Sequence, residues 1–374
     1  MSIPPAARHY IAVVRVLVLS HRLADPAQRQ TYRELHTLGW SVTVALPGGT
    51  ADTDGALRLA PVPVSGLPVE PGRLRWQARA VRRLLNDVRP DVVHVEEEPG
   101  SPAALTAVRE AGRLGVPTVI FSWQSLPRDR GFLERRRYAA TLSRVRGVIG
   151  GNQLAADLLA SAAPEALSTT LPQSGIAVGP APVRATSEPL RLAFVGRLMP
   201  ERGADRLLRV CGQLMGPWSL VVAGTGPEQE ELEELGQKLG LASRTRWRGV
   251  VSRTQVQALW REIDCLVIPS RSTPTWTEQW APVLVEAMAH EVACVVTAEG
   301  ALPEIVGDAG IVVRSDEELL VALQELVTTP ERRTSLGQAG RRRVLEQFVD
   351  TAVARGLDAF WRQVVAAFPA RAVP

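Results

Sequence analysis

The chain has 374 residues, beyond the roughly 250 to 300 at which a single hydrophobic core stops growing, so length alone argues for two domains. With 45% hydrophobic and 22% charged residues it has ordinary globular usage, which excludes a disordered tail protein, a collagen and a disulfide scaffold. The formal net charge of +4 is unevenly placed: residues 1–180 hold 21 Arg against 15 Asp plus Glu, a net of +6, and the remainder carries a net of −2.

In chain order, residues 12–19, AVVRVLVL, form a β-branched run that predicts a strand, followed by helical spacing over 27–38 and a second strand at 41–46, SVTVAL. The alternation continues with a helix near 73–88, a strand at 91–95, a helix at 101–114 and a strand at 116–121. Residues 172–189 are rich in Pro, Gly and Ser and read as the linker. A second alternation places strands at 190–195, 218–223, 244–248, 264–268, 292–296 and 310–313, with helices at 203–214, 228–239, 253–262 and 282–289 between them. From 316 onward the chain reads as successive helices, and in the last, 350–366, Val353, Leu357, Phe360, Trp361 and Val364 continue an apolar face begun at Phe348. Two parallel α/β domains bind ligands at the carboxyl ends of their strands, so a cleft between them is expected to hold the chemistry.

No apolar run reaches the ~18 residues of a membrane span, and the first twelve residues show no signal-peptide core, so the expected compartment is the cytoplasm. Cys211, Cys265 and Cys294 are widely spaced in apolar contexts and read as small buried hydrophobes, not as a zinc site or a disulfide framework.

Three stretches can carry chemistry. In FVGRLMPERG, 194–203, a strand ends at Gly196, and Arg197 and Arg202 flank the following turn, where two guanidiniums can meet one anion such as a diphosphate or instead pair with surface acids. In VVAGTGP, 221–227, Gly224 and Gly226 allow close backbone approach to a phosphate or simply a tight strand-to-helix turn. In PSRSTPTWTEQWAPVLVEAMA, 269–289, Glu278 and Glu286 have seven residues between them, with Pro282 opening a helix whose amides at Ala281, Val283 and Leu284 surround a positive end. Solvated glutamates on an amphipathic helix are the alternative there.

In order and spacing, these stretches together with DCLVIPS and LPEIVGDAGIVV resemble the nucleotide-sugar-binding domain of the retaining GT-B glycosyltransferases of family 4, over about 150 residues from 190 to 345. PDVVHVEEEP and VIFSWQSL are similar to a bacterial subset of that family acting on cell-surface saccharides. The resemblance implies two facing Rossmann-like domains, at 1–178 and 179–345, and a final segment, 346–374, crossing back to the first. It implies that Arg197 and Arg202 hold the diphosphate, Glu286 the ribose, and Glu278 the transferred sugar. Gly196, Gly224, Gly226, Gln279, Trp280, Ala281, Pro282, Val283 and Leu284 would line the donor site, with the base contacted near Arg248, Gly249 and Val250. No metal or other cofactor is implied, and the leaving phosphate would take the acceptor's proton on the same face. The donor would be a UDP-sugar, or next a GDP-sugar, and the acceptor a saccharide, often lipid-linked.

The chain departs from the family in having Arg202 for Lys, Gln279 for Gly, and His290 and Glu291 for Cys-Gly. Trp123, Gln124 and Ser125 stand where a histidine commonly touches acceptor or sugar, so these three, with Glu97 and Glu98, are the acceptor-side candidates. The run Glu96 to Glu98 could alternatively serve an epimerase on this fold or form an acidic loop, and a non-catalytic nucleotide-binding protein or a transferase for soluble small molecules stays open. Arg75, Arg79, Arg82 and Arg83, expected on one side of a helix, and Arg128, Arg130, Arg135, Arg136 and Arg137 suggest peripheral contact with an anionic membrane. Nucleic-acid binding lacks a motif, and aromatic residues are 5% of the chain.

Overall fold

The computed structural model describes residues 13–65, 74–182 and 188–370. Its first domain contains β1 (Val14–Leu19), β2 (Trp40–Pro47), β3 (Asp52–Asp54), β4 (Leu57–Val62), a separate antiparallel pair β5 (Val64–Ser65) and β6 (Arg75–Trp76), then β7 (Val92–Val95), β8 (Thr118–Ser122), β9 (Gly147–Gly150) and β10 (Leu167–Thr170). The eight-stranded order is β10-β9-β8-β7-β1-β2-β4-β3, parallel except for the β3–β4 edge. The second sheet, β11 (Leu190–Val195), β12 (Trp218–Ala223), β13 (Thr245–Gly249), β14 (Cys265–Ile268), β15 (Ala293–Thr297) and β16 (Ile311–Val313), is six-stranded and parallel, in the order β13-β12-β11-β14-β15-β16.

Strands buried on both faces need apolar residues at successive positions, which is why Val, Leu and Ile dominate β1, β7 and β14, with Arg15, His94 and Cys265 the exceptions. The helices that cover the first sheet include α1 (Gln30–Glu34), α2 (Ala78–Val88), α3 (Pro102–Arg113), α4 (Phe132–Leu142) and α5 (Gln153–Ala162). On the second sheet, α6 (Ala204–Cys211) and α7 (Gln229–Lys238) lie on one face, and α8 (Arg253–Glu262), α9 (Pro282–Ala289) and α10 (Leu302–Val306) on the other. After α11 (Asp316–Thr328) and α12 (Pro330–Gln347), the last helix α13 (Asp350–Ala367) leaves the second domain and packs into the first.

That return is anchored by apolar and polar contacts. Val353, Leu357, Phe360, Trp361 and Val364 share one core cluster with Val16, Val18 and Trp40, and the Trp361 ring lies 5.2 Å from Trp40. The Trp40 Nε1 donates to Asp358 at 2.7 Å, and the Thr31 hydroxyl to Asp350 at 2.6 Å.

The structure corrects several expectations. The helix expected at 27–38 is broken into 3-10 turns at Pro26–Gln28 and Leu35–Leu38 around a five-residue α1. The poor helix formers Thr31, Tyr32 and Thr37 and the left-handed Gly39 at its end give the physical reason. Arg75 is on β6, not on α2, which starts at Ala78, and Arg82 is engaged by Glu110 at 2.7 Å, so the four arginines do not form one helical stripe. Residues 12, 73 and 183–187 of the expected strand, helix and linker lie outside the described residues. The start of the linker is pinned: the Ile176 amide donates to the Phe348 carbonyl at 2.8 Å, and a Cβ on Gly175 would sit 2.1 Å from the Asp350 nitrogen. The cysteines are buried and free, and burial pushes the Cys211 thiol up to about 12.

Trp361→Ala is expected to cost about 3 to 5 kcal/mol of stability, as for a large core aromatic. Urea unfolding checks it, and an unchanged midpoint would mean that α13 contributes nothing to the first core.

Candidate active site

The carboxyl ends of the two sheets face each other. Residues after β8 and residues after β11 and β14 enclose a cavity of about 570 Å³, whose walls include Gln124 and Arg128 from one domain and Arg202, Trp276, Glu278 and Trp280 from the other. That is the size of a small-molecule site.

Glu278 is 3% exposed. Removing a carboxylate from water is unfavourable unless it is paired, and here Arg202 Nη1 donates to both of its oxygens at 2.9 and 2.7 Å while the Ser270 hydroxyl donates at 3.0 Å. Burial pushes the Glu278 carboxyl up, and Arg202 and Ser270 pull it back only in part. Its backbone is fixed as well: the Glu278 carbonyl accepts from the Ala301 amide at 2.8 Å, and Gly300, at φ +53°, approaches so closely that a Cβ would lie 2.1 Å from that carbonyl oxygen. The Arg202 guanidinium lies 5.2 Å from the Trp276 ring centroid.

Arg202 closes the 3-10 turn after β11, and Gly203 follows at φ +71°, where a Cβ would meet the Pro269 carbonyl oxygen at 2.1 Å. The turn after β11 and the loop after β14 are thereby held together, and Arg271 reinforces them through Asp205 at 2.7 Å and the Glu201 carbonyl at 2.8 Å.

The other expected donor residues are placed as follows. Arg197 is exposed and pairs with no described residue. Gly224 and Gly226 are needed for packing between loops: a Cβ would lie 1.8 Å from the Gly196 oxygen and 2.1 Å from the Leu198 oxygen respectively. Arg248 is ion-paired with Glu262, the Gly249 carbonyl accepts from the Gly224 amide at 2.8 Å, and Val250 is exposed. At the start of α9, Pro282 is the first residue and Ala281 the uncapped N-cap. The Leu284 amide donates to the Ala281 carbonyl at 3.0 Å, which leaves the amides of Ala281 and Val283 without an acceptor among the described residues. Glu286 is half-buried on α9 and does not line the cavity that holds Glu278.

On the acceptor side, the Trp123 ring lies 5.7 Å from Trp280 across the cleft, and its Nε1 donates to Gln173 at 2.8 Å. Ser125 is buried against Asn152, whose amide donates to the Gln279 carbonyl at 2.7 Å, so Ser125 supports an interdomain contact and does not face the cavity. Gln124 lines the cavity and accepts from Arg130 at 2.5 Å. The acidic run is not a loop of solvated charges. Glu96 accepts from the Tyr32 hydroxyl at 2.6 Å, Glu97 is buried against His21, and Glu98 accepts from the Ser122 hydroxyl at 2.7 Å and the Trp123 amide at 3.2 Å. Glu98 touches solvent yet has protein on most sides, and that burial raises its carboxyl. Sequence reasoning missed His21, which nothing near it marks, and saw Arg128 only as part of a surface cluster.

Two facing Rossmann-like domains, with the Arg202–Glu278 pair of the second in the wall of the cleft, define a GT-B fold. The family model described as "Glycosyl transferases group 1" matches residues 181–343, and that described as "Glycosyl transferase 4-like domain" matches 24–166. The chain belongs to this group 1, family 4-like set of GT-B glycosyltransferases. It is 31% identical over 160 residues to the D-inositol 3-phosphate glycosyltransferase of Segniliparus rotundus, a match covering 40% of this chain and 34% of that protein. The chain thus spans about a third of the length of the curated relatives it matches. Sucrose-phosphate synthase from Thermosynechococcus elongatus shares the fold, with a TM-score of 0.65 at 17% identity over 95% of this chain and 100% of that one. Anabaena HepE, solved in complex with UDP, gives 0.63 at 14% identity over 94% and 99%.

Because Glu278 has a raised pKa in the folded state, its ionisation opposes folding. The stability of the wild type relative to Glu278→Gln is expected to fall as pH rises from the ordinary glutamate range through the raised value. Urea unfolding of both proteins across this range checks it, and a pH-independent difference would contradict the buried, raised carboxyl.

Proposed function

We propose that the protein is a retaining glycosyltransferase that moves a hexose from a UDP-sugar, with a GDP-sugar as the next choice, to a saccharide or lipid-linked saccharide, without a metal. The observation that carries this reading is the buried Glu278 paired with Arg202 in the wall of the interdomain cavity. UDP is favoured by its presence in the complex of Anabaena HepE.

As the bond from the anomeric carbon to the diphosphate oxygen breaks, the sugar gains positive charge and the diphosphate negative charge. Arg197, Arg202 and the uncapped start of α9 stabilise the leaving diphosphate, and Glu278 stands beside the sugar. The acceptor oxygen bonds to the anomeric carbon on the face that the diphosphate leaves, and its proton passes to a phosphate oxygen. Glu286 takes the ribose hydroxyls. An epimerase would need a free acid and base in the first domain, and the engagement of Glu96, Glu97 and Glu98 by neighbours weighs against it.

Arg202→Ala is expected to weaken UDP binding by about 2 to 5 kcal/mol in calorimetry, the loss typical of one partner of a desolvated charge pair. Unchanged UDP and GDP affinity would remove Arg202 from the donor site. Glu286→Ala should lose donor affinity, whereas Glu278→Ala should lose turnover more than nucleotide affinity. Equal effects on kcat and nucleotide Kd in both variants would contradict the two roles.

We place the protein in the cytoplasm, and peripheral membrane contact is supported by the start of α4, where Phe132 and Leu133 are 66% and 68% exposed beside the exposed Arg135 and Arg136. No helix among the described residues is long and apolar enough to cross a membrane. Co-sedimentation with vesicles rich in anionic lipid should be strong at low salt and weaken with added salt. Absence of binding at low salt would leave a soluble small-molecule acceptor as the reading.

A further inference from the structure

β8, β7 and β1 are neighbours in the first sheet, and their carboxyl ends carry Trp123 and Gln124, then Glu97 and Glu98, then His21. Two strand spacings, about 10 Å, separate β1 from β8. Glu98 joins the first two positions by accepting from Ser122 and Trp123, so these side chains form one continuous edge that begins at the cavity wall with Gln124.

His21 is built into this edge with unusual definition. Glu97, 2% exposed at its side chain, accepts from the His21 backbone amide at 2.9 Å through one oxygen and contacts Nδ1 at 2.8 Å through the other. Burial pushes the Glu97 carboxyl up and its hydrogen bonds from His21 pull it back; in its ionised form it has no proton to give, so the contact puts the hydrogen on Nδ1 and leaves a lone pair on Nε2. The His21 side chain is 28% exposed, and Nε2 has no partner among the described residues. A buried glutamate that fixes the backbone and ring of one histidine, and leaves its second nitrogen free on the ligand edge of the sheet, orients a hydrogen-bond acceptor.

We propose that His21, positioned by Glu97, accepts a hydrogen bond from a hydroxyl of a neutral saccharide acceptor lying along this edge toward Gln124. The inference rests on the transferase reading above and extends it to the acceptor. The charged groups facing His21 are Glu97 and Glu96 from the end of β7 and Arg22 from its own turn; the hydrogen bond to Glu97 leads in raising the His21 pKa, against burial and Arg22. Protonation would put a hydrogen on Nε2 and remove its lone pair, so acceptor use falls on acidification.

Two measurements on the full chain test this. The chain has five histidines, so the His21 ring signals can be assigned by their loss in His21→Gln. Nitrogen-15 spectra should show hydrogen on Nδ1 and a pKa above the ordinary ~6.5, falling in Glu97→Gln. Hydrogen on Nε2, or a pKa that Glu97→Gln leaves unmoved, would overturn the pair. Transfer from UDP-glucose and UDP-galactose to methyl glycosides and disaccharides is then followed by UDP release. His21→Ala should lower acceptor kcat/KM by about tenfold, the scale of one hydrogen bond, while UDP Kd and acceptor-independent hydrolysis stay within about twofold. His21→Gln, whose amide oxygen can also accept, should recover part of the loss, and Glu97→Gln should move the acid limb of acceptor kcat/KM to lower pH. The inference fails if His21→Ala leaves acceptor kcat/KM unchanged, if UDP Kd weakens in parallel, or if a wild type that hydrolyses the donor transfers to none of the neutral saccharides. A wild type binding neither UDP nor GDP would defeat the donor reading as well, an outcome seen before any variant is compared.

Discussion

The constraint on which the site depends is the burial of one carboxylate. Glu278 is held away from water, and a carboxylate so placed must be matched by neighbours or take up a proton. Arg202 and Ser270 answer that need at the carboxylate, the Ala301 amide and the close approach of Gly300 fix the Glu278 backbone, and together they tie three strand-end loops to one point. The identity of the cation matters. Arg202 uses Nη1 for both Glu278 oxygens, so Nε and Nη2 have no partner among the described residues. A guanidinium can therefore keep the carboxylate compensated while offering donors to a second anion, whereas a lysine would have to divide one compact ammonium between the two.

The departures from the family pattern converge in space. Trp123, where a histidine is common, lies against Trp280, and the neighbouring Gln279, where glycine is usual, gives its carbonyl to Asn152 of the opposite domain. A Cβ on Gly151 would lie 2.0 Å from the Trp123 ring, so the ring's seat is cut out of the first domain to match. Close by, Glu304 of the second domain accepts from the Gln153 amide at 2.8 Å at the start of α5. Substitutions far apart in the chain thus act as one interdomain contact, and α13 adds a covalent return path beside it. The second domain is held against the first by specific polar contacts at the cleft and by an apolar core at the crossing helix.

Much of this was legible in the sequence, for physical reasons that also explain the gaps. Buried parallel strands must be apolar throughout, so β1, β11, β12, β14 and β15 stood out, as did the amphipathic face of α13. Segments 124–170 were harder. β9 reads GVIG because Gly147 is crowded by Val364 and Phe360 and Gly150 by the Ala156 nitrogen at 2.1 Å, and glycine erases the β-branched signal of a strand. β10, LSTT, is an edge strand too polar and too short to register. At the site, Arg202 and Glu278 were each visible within a motif, but their pairing spans 76 positions and belongs to the fold. The His21 and Glu97 pair also spans 76 positions, and there the histidine had no motif to mark it.

Tertiary pairing also changes the meaning of the basic first half. Arg29 and Arg33 share Asp54, Arg82 and Arg113 share Glu110, and Arg58 meets Asp87, so these arginines act mainly within the fold, although the net excess, which already counts those acids, is unchanged. Opposite charges at such range leave little field beyond a Debye length of about 8 Å at physiological salt. Arg135 and Arg136 lie outside these pairs, next to the exposed Phe132 and Leu133 and a few residues from Arg128 at the cavity wall. Positive charge outside these pairs thus includes a set at the mouth of the cleft, where it bears on what enters the cavity as well as on how the domain as a whole is attracted.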